Sequence, residues 1–175
     1  MSLKEYTSQK HTEAEQTVFM QAVFKKQLPE GYWADFCLQK MLIYNGIEMI
    51  AESSGLLEDL PNIKRANFLY LDFKAHNPNK LEYKYRPVTI DYYHYLQSLA
   101  FEEDRILAHL YTWHMGDLYG GQMIKKIVPG QHRSLEFKDP ELLKTTLRSK
   151  LKDTMGDEAN IAFDWAIKLM SSYEL

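Results

Sequence analysis

The sequence predicts an all-α protein with a single domain. Apolar residues recur at helical spacing along almost the whole chain. Glycine and proline interrupt this pattern at intervals that leave segments of roughly 12 to 24 residues, the usual length of helices in globular proteins. With 175 residues, 45% of them hydrophobic, the chain is long enough for one full core and too short for two. We therefore expect about seven helices in one domain that spans residues 1–175.

Glycine and proline breaks place each helix in turn. The segments lie at about 3–26, 31–53, 62–76, 89–103, 105–128, 140–155 and 157–173. The sixth segment has the clearest start, since Asp139 precedes Pro140 and Glu141. This order predicts a capping carboxylate, a proline at the first helical position and an acid in the first turn.

Composition and charge exclude several classes of protein. A net charge of −3 gives no global reason to expect nucleic-acid binding. The single cysteine, Cys37, excludes an internal disulfide and a site with several thiolates, and we expect it in the core. No apolar run reaches the roughly 18 residues of a membrane span, and the N-terminus lacks the apolar region of a secretory signal. We expect a soluble, cytoplasmic protein with no membrane partner.

The fifth segment contains the most informative motif, residues 114–122, which read HMGDLYGGQ. Each glycine inside a helix costs on the order of 1 kcal/mol relative to alanine. Gly116 and Gly120 lie on one face, about 6 Å apart along the axis. Two interpretations compete: close helix packing, or a backbone laid against a planar ligand, with or without a kink. The spacing alone favours packing.

The first segment adds a candidate metal ligand, His11. Glu15 lies one turn further on and is placed to orient the imidazole ring by a hydrogen bond. Lys4 lies on the same face, about 10 Å away. A lone helical histidine is more often a surface or core residue, but a ligand with a cation nearby suits an anionic metallocofactor.

Taken together, these motifs resemble those of the heme oxygenase family, in its soluble bacterial or plastid-type branch. The resemblance covers most of the chain. It rests on Leu3-Lys4-Glu5, His11-Thr12-Glu13-Ala14-Glu15, Tyr111-Thr112, Gly116-Asp117-Leu118, Gly120-Gly121-Gln122, Lys125 and Lys126. It implies an all-α fold in which heme, both substrate and cofactor, is sandwiched between the first helix and a kinked, glycine-containing distal helix.

Residue roles follow from this resemblance. His11 would be the proximal iron ligand, with Glu15 tuning the ring. Gly116 and Gly120, with Gly121 beside them, would form the distal wall of the heme site. Asp117 would be the central catalytic residue, because the family's aspartate organises a distal water that directs oxidation to the porphyrin's α-meso carbon.

Further positions match residues that bind the heme periphery. Lys4, Lys144 and Arg148 correspond to cations that hold the propionates. The matching aromatic residues are Tyr111 at a propionate, Tyr44 in the distal hydrogen-bond network and Phe163 in the pocket wall.

Three positions of the distal helix depart from the family pattern. Many relatives carry a basic residue where Trp113 stands, an aromatic one at His114 and a small one at Tyr119. Loss of the basic residue puts part of the distal water network in question. We expect His114 to be polar surface or packing. The remaining histidines, which we expect to be structural, are His76, His94, His109 and His132.

The implied reaction opens heme to biliverdin, of the IXα type, and releases carbon monoxide and ferrous iron, using O2 and external electrons. Ferredoxin is the expected donor, and bilin pigment synthesis the expected use of the product. A basic face for the donor is predicted from Lys125, Lys126, Lys144, Arg148 and Lys150. A heme-sequestering protein without turnover and a helical interaction module remain alternatives. The sequence does not fix the oligomeric state, with a monomer slightly favoured.

Overall fold

The computed structural model describes residues 1–175 as an all-helical chain, which confirms the predicted fold class. It contains nine α-helices: α1 Leu3–Glu15, α2 Val18–Phe24, α3 Tyr32–Ser53, α4 Ala66–Ala75, α5 Pro87–Gln97, α6 Glu103–Leu110, α7 Gly116–Ile127, α8 Pro140–Lys150 and α9 Gly156–Ser171. A π-helical turn, Tyr111–Met115, joins α6 to α7, and 3₁₀ turns lie at Arg133–Leu135 and Asp153–Met155. None of these helices has the length and apolar character that crossing a membrane requires.

The expected count of seven helices is wrong because two predicted segments are each divided. The first ends at Glu15 and resumes at Val18, since the Thr17 hydroxyl accepts a hydrogen bond from the Met20 N–H (3.3 Å) and caps a new helix. The fifth is interrupted by the π-helical turn, where the hydrogen-bond spacing lengthens. Neither interruption contains a glycine or proline, so neither was visible as a break in the sequence.

The start of α8 shows one correct prediction and one error. Pro140 occupies the first helical position, as expected. The Asp139 carboxylate, however, makes no capping hydrogen bond, because its backbone is left-handed, with φ of 52° and ψ of 55°. Side-chain capping normally needs an extended backbone at that residue.

Helix α3 lies at the centre of the fold. Most of its residues are buried, among them Phe36, Ile43 and Ile47, and apolar side chains surround it within a core cluster of 29 residues. A helix that is apolar around most of its circumference is stable only when other elements cover it. On one side of the molecule α1 packs on α9, where Gly156 leaves room for the Tyr6 ring. This arrangement leaves a cleft whose walls come from α1, α2, α3, α7 and α9.

Candidate functional site

The cleft is an open cavity with about 1080 Å³ of empty space, including its mouth. Hydrophobic side chains form most of the lining, among them Met20, Phe24, Phe36, Ile124, Leu135, Phe163 and Met170. The polar exceptions are His11, Glu15, Lys40, Thr112, Asp117 and Ser134. A mostly apolar cleft with a few polar groups is the usual character of a site for a small molecule or cofactor.

The three glycines of α7 have different surroundings. A Cβ atom added to Gly116 or Gly120 would meet no other atom within 4 Å, so the missing side chains are not required by neighbouring protein. A Cβ at Gly121 would lie 3.2 Å from Leu135 Cδ2 and 3.3 Å from its Cβ. Close packing therefore explains Gly121, whereas Gly116 and Gly120 present bare backbone to the cavity.

The π-helical turn supplies the interruption expected of the distal helix. It covers Tyr111–Met115 and ends directly before Gly116, so that α6 and α7 are not one continuous ladder of hydrogen bonds. Such turns are a recognised cause of kinks and occur often at functional sites.

His11 lies on α1 and borders the same cavity. Its side chain is 58% exposed, and its ring lies edge-on to Phe163 with centroids 6.0 Å apart. The nearest Glu15 oxygen is 3.7 Å from His11 Nε2, which is too long for a hydrogen bond. The expected orienting bond is therefore absent, although both side chains border the cavity.

Asp117 is held by donors on both oxygens. Lys40 Nζ donates to Oδ1 (3.0 Å) and the Tyr44 hydroxyl donates to Oδ2 (2.5 Å). Burial, together with the Asp117 charge, raises the pKa of Tyr44 well above its ordinary value, so the hydroxyl keeps its proton and acts as donor. These contacts fix an anionic acceptor at the cavity wall.

Lys40 borders the cavity but was not predicted from the sequence as a site residue. Its signal is present, however, because Phe36, Lys40 and Tyr44 follow one another at a spacing of four on a single face of α3. A lysine on the same helix face as two aromatic residues, in a mostly buried helix, is predicted to be buried and so to need a charged or polar partner inside the protein.

Trp113 and His114, which depart from the family pattern, both turn into the protein. Trp113 Nε1 donates to the Tyr92 hydroxyl (2.9 Å). His114 is fully buried, stacks on Tyr44 with centroids 4.4 Å apart, and places Nε2 3.2 Å from a Glu48 carboxylate oxygen. Of the two expected roles for His114, packing is correct and polar surface is wrong, because the ring is fully buried between Tyr44 and Glu48.

Five of the expected heme-site residues do not line the cavity: Lys4, Tyr44, Tyr111, Lys144 and Arg148. Tyr44 contacts the cavity wall through its hydrogen bond to Asp117. Lys4 is exposed on α1. Lys144 Nζ and the Arg148 guanidinium lie over the Tyr119 ring, 4.5 and 5.4 Å from its centroid. The structure thus places this cationic pair beside α7.

The predicted basic face is partly neutralised by neighbouring carboxylates. Three of its members are paired: Lys125 with Glu136 (3.7 Å), Lys144 with Glu141 (3.1 Å) and Lys150 with Asp59 (2.6 Å). The other two, Lys126 and Arg148, have no carboxylate partner.

The contacts of the remaining histidines and of Cys37 indicate no role in binding a ligand. His76 and His132 contact the backbone carbonyls of Gln131 and Val128, His109 is buried against Glu158, and His94 is exposed. No group of three or more His, Cys, Asp or Glu side chains could hold a metal ion. Cys37 is buried, as predicted, and burial raises the pKa of its thiol.

Comparisons with known proteins agree on one family. A family model described as heme oxygenase matches residues 1–172. The heme oxygenase of Porphyra purpurea is 28% identical over 95% of this chain and 83% of its own length. Heme oxygenase 1 of Nostoc sp. is 25% identical, over 96% of this chain and 82% of its own length.

Solved structures show the same fold. Heme oxygenase-1 from the cyanobacterium Synechocystis sp., in complex with heme, superposes with a TM-score of 0.85 at 23% identity, covering 98% of this chain and 90% of the other. The heme oxygenase of Leptospira interrogans gives a TM-score of 0.83 at 23% identity, covering 99% of this chain and all of the other.

Proposed function

The chain belongs to the heme oxygenase family, and from that premise we propose that it opens heme oxidatively to biliverdin, most readily the IXα isomer. Carbon monoxide and ferrous iron are the other products, O2 is the co-substrate, and the electrons come from an external donor. The observation that carries the proposal is the bare backbone of Gly116 and Gly120, which borders the same cavity as His11.

The residues of the cavity suit heme. The open space at Gly116 and Gly120 lets a planar ring approach α7 to backbone distance, where any side chain would intrude. Apolar lining such as Phe163 and Met170 suits a porphyrin, and His11 offers an imidazole nitrogen, a good iron ligand. Lys4, Tyr111, Lys144 and Arg148 would hold the propionates at the periphery.

Asp117 is the residue we propose to guide the chemistry. When bound, heme supplies both the oxidisable porphyrin and the iron at which dioxygen is activated. Each Asp117 oxygen accepts one protein hydrogen bond and keeps lone-pair capacity for a water molecule in the cavity. A water fixed in this way can deliver a proton at a defined position, while the apolar lining limits access of other water.

Turnover with product analysis tests the proposal. Hemin-loaded protein supplied with ferredoxin, its reductase, NADPH and O2 should yield biliverdin and carbon monoxide. Heme that remains intact would reject turnover and favour the sequestering alternative. The open space at Gly116 and Gly120 already argues against a pure packing role for these glycines.

The Asp117→Asn variant tests the assigned role of the carboxylate. It should still bind hemin, since Asp117 is not the iron ligand, and should lose at least about tenfold in the rate of biliverdin formation. Full activity in this variant would contradict the role of Asp117. Asp153→Asn, a change of the same kind at a residue outside the cavity lining, serves as the control.

For the electron donor we propose ferredoxin, docked at the basic face, with biliverdin passing to bilin pigment synthesis. Lys126 and Arg148 carry this proposal, because they are the members of that face without carboxylate partners. Lys126→Glu should raise the apparent KM for ferredoxin, with the strongest effect at low salt. Arg148 is left unchanged in this test because it is also proposed to hold a heme propionate. An unchanged KM would reject this docking surface.

A further inference from the structure

We infer that Lys40 is a positioning residue of the cavity: its ammonium group holds the Asp117 carboxylate and presents positive charge to an anionic ligand bound there. The inference rests on the proposed function, because the ligand would occupy the distal side of bound heme. It concerns a residue outside the motifs on which the family resemblance rests.

The position of the Lys40 side chain is closely defined. It extends from α3 between Phe36 and Tyr44, whose ring centroids lie 5.7 and 5.1 Å from Nζ. Only 9% of the side chain is exposed, yet the residue borders the cavity. Aromatic faces attract a cation at these distances. The ammonium group is therefore held at the cavity wall by the aromatic faces and by Asp117.

The hydrogen bonds of Lys40 are incomplete within the protein. An ammonium group has three N–H donors. One of them donates to Asp117 Oδ1 (3.0 Å), and no other protein atom accepts from Nζ. A buried donor without an acceptor is costly, so the remaining N–H groups call for water or a ligand in the cavity. An anion would be the strongest acceptor available there.

Stability alone is a weak explanation for this pair. Two charges buried against each other gain little over well-packed apolar residues, because desolvation offsets their attraction. Their combined effect on the cavity is specific, however. Lys40 and Asp117 together contribute no net charge at this wall. Removal of Lys40 makes the wall more negative, whereas removal of Asp117 makes it more positive.

Azide and imidazole binding to the ferric hemin complex tests the inference. Azide carries a negative charge, whereas imidazole is a neutral ligand that reports changes in access or shape. The variants are Lys40→Met, Lys40→Gln, Lys40→Arg and Asp117→Asn. Lys64→Met is the control, since it removes an equal charge from an exposed ion pair with Glu52.

Loss of the Lys40 charge and loss of the Asp117 charge should shift azide affinity in opposite directions. Azide affinity should fall about tenfold in Lys40→Met and Lys40→Gln, recover in Lys40→Arg and rise in Asp117→Asn. Imidazole affinity should change less than about twofold in every variant, and Lys64→Met should match the wild type for both ligands. Azide affinity that is unchanged in both neutral Lys40 variants, or that falls together with imidazole affinity, would overturn the inference.

A separate measurement on the protein without hemin distinguishes this inference from the proposed function. Unfolding free energies of Lys40→Met, Asp117→Asn and the double variant should be non-additive, because each single change leaves one charge without its partner. Additive values would overturn the pairing even if hemin binds. Absence of hemin binding by the wild type would instead reject the proposed function, and with it the ligand role of Lys40.

Discussion

At Gly116 and Gly120 the absence of a side chain leaves open space, whereas at Gly121 it accommodates Leu135. The two situations have different energetic consequences. A glycine that is needed for protein packing stabilises the folded chain, because a larger residue would displace its neighbour. A glycine that faces an open cavity lowers helix stability, and no packing contact compensates for this loss until a ligand occupies the space.

Alanine substitution at neighbouring positions tests this distinction. Gly120→Ala should stabilise the hemin-free protein by about 0.5 to 1 kcal/mol, because the helix gains propensity and the added methyl group meets no atom. Gly121→Ala should gain less or lose stability, since its methyl group would lie 3.2 Å from Leu135. Urea unfolding of both variants gives the comparison.

For hemin binding the two variants should rank in the opposite order from their stability without hemin. Gly120→Ala should weaken hemin binding more than Gly121→Ala does, since only its methyl group projects into open space. If Gly120→Ala lost stability without hemin, the packing interpretation would apply to that face as well.

Among the elements, a chain of buried hydrogen bonds ties the π-helical turn to α5, α6 and α9. Trp113 donates to the Tyr92 hydroxyl, which contacts His109 Nδ1, and His109 Nε2 contacts Glu158 (2.9 Å). Burial lowers the pKa of His109 and keeps the ring neutral, which suits one ring nitrogen as acceptor and the other as donor. The turn that precedes Gly116 is therefore anchored to three helices.

Glu158 makes this network sensitive to acid. Burial alone would raise the pKa of Glu158, but hydrogen bonds from His109, Tyr95 and Arg105 lower it from its ordinary value to about 2. The unfolded chain therefore binds more protons than the native state between these values, so stability falls as pH falls. The pKa of His109 is also lowered in the folded protein. Its titration therefore also reduces the free energy of unfolding once the pH falls below the ordinary pKa of histidine.

The Glu158→Gln variant measures this contribution. Between about pH 5 and about pH 3 the wild type should lose roughly 2 kcal/mol more unfolding free energy than the variant does. The variant should be less stable than the wild type at pH 7, because it lacks the anionic acceptor. Parallel pH profiles for the two proteins would show that Glu158 does not titrate with a lowered pKa.

The boundaries of the elements show what the sequence could and could not predict. Glycine and proline located α3 and the start of α8, because these residues act through the local backbone. The break at Thr17 was missed because no glycine or proline marks it. A kink in the distal helix was expected from the family resemblance, but its position and its π-helical form were not, since they depend on hydrogen bonds between specific atoms. The left-handed conformation of Asp139 was missed for the same reason.

In the molecule as a whole, residues distant in sequence meet at one cavity. His11, Asp117 and Phe163 were identified from the sequence as site residues, and all three border this cavity. Lys40 was missed although its spacing with Phe36 and Tyr44 indicates a buried cation, because that spacing does not identify its partner, which lies 77 positions away. The surroundings of Trp113 and His114 likewise depend on Tyr92 and Glu48, which only the folded chain brings near.

The heme site between α1 and α7 is the central claim, and a hemin titration followed by the Soret absorption tests it most directly. The wild type should shift the Soret band with one hemin bound per chain, His11→Ala should abolish that shift, and His94→Ala, at an exposed histidine of α5, should retain it. A wild type without any shift, or a His11→Ala variant with the wild-type spectrum, would contradict the claim.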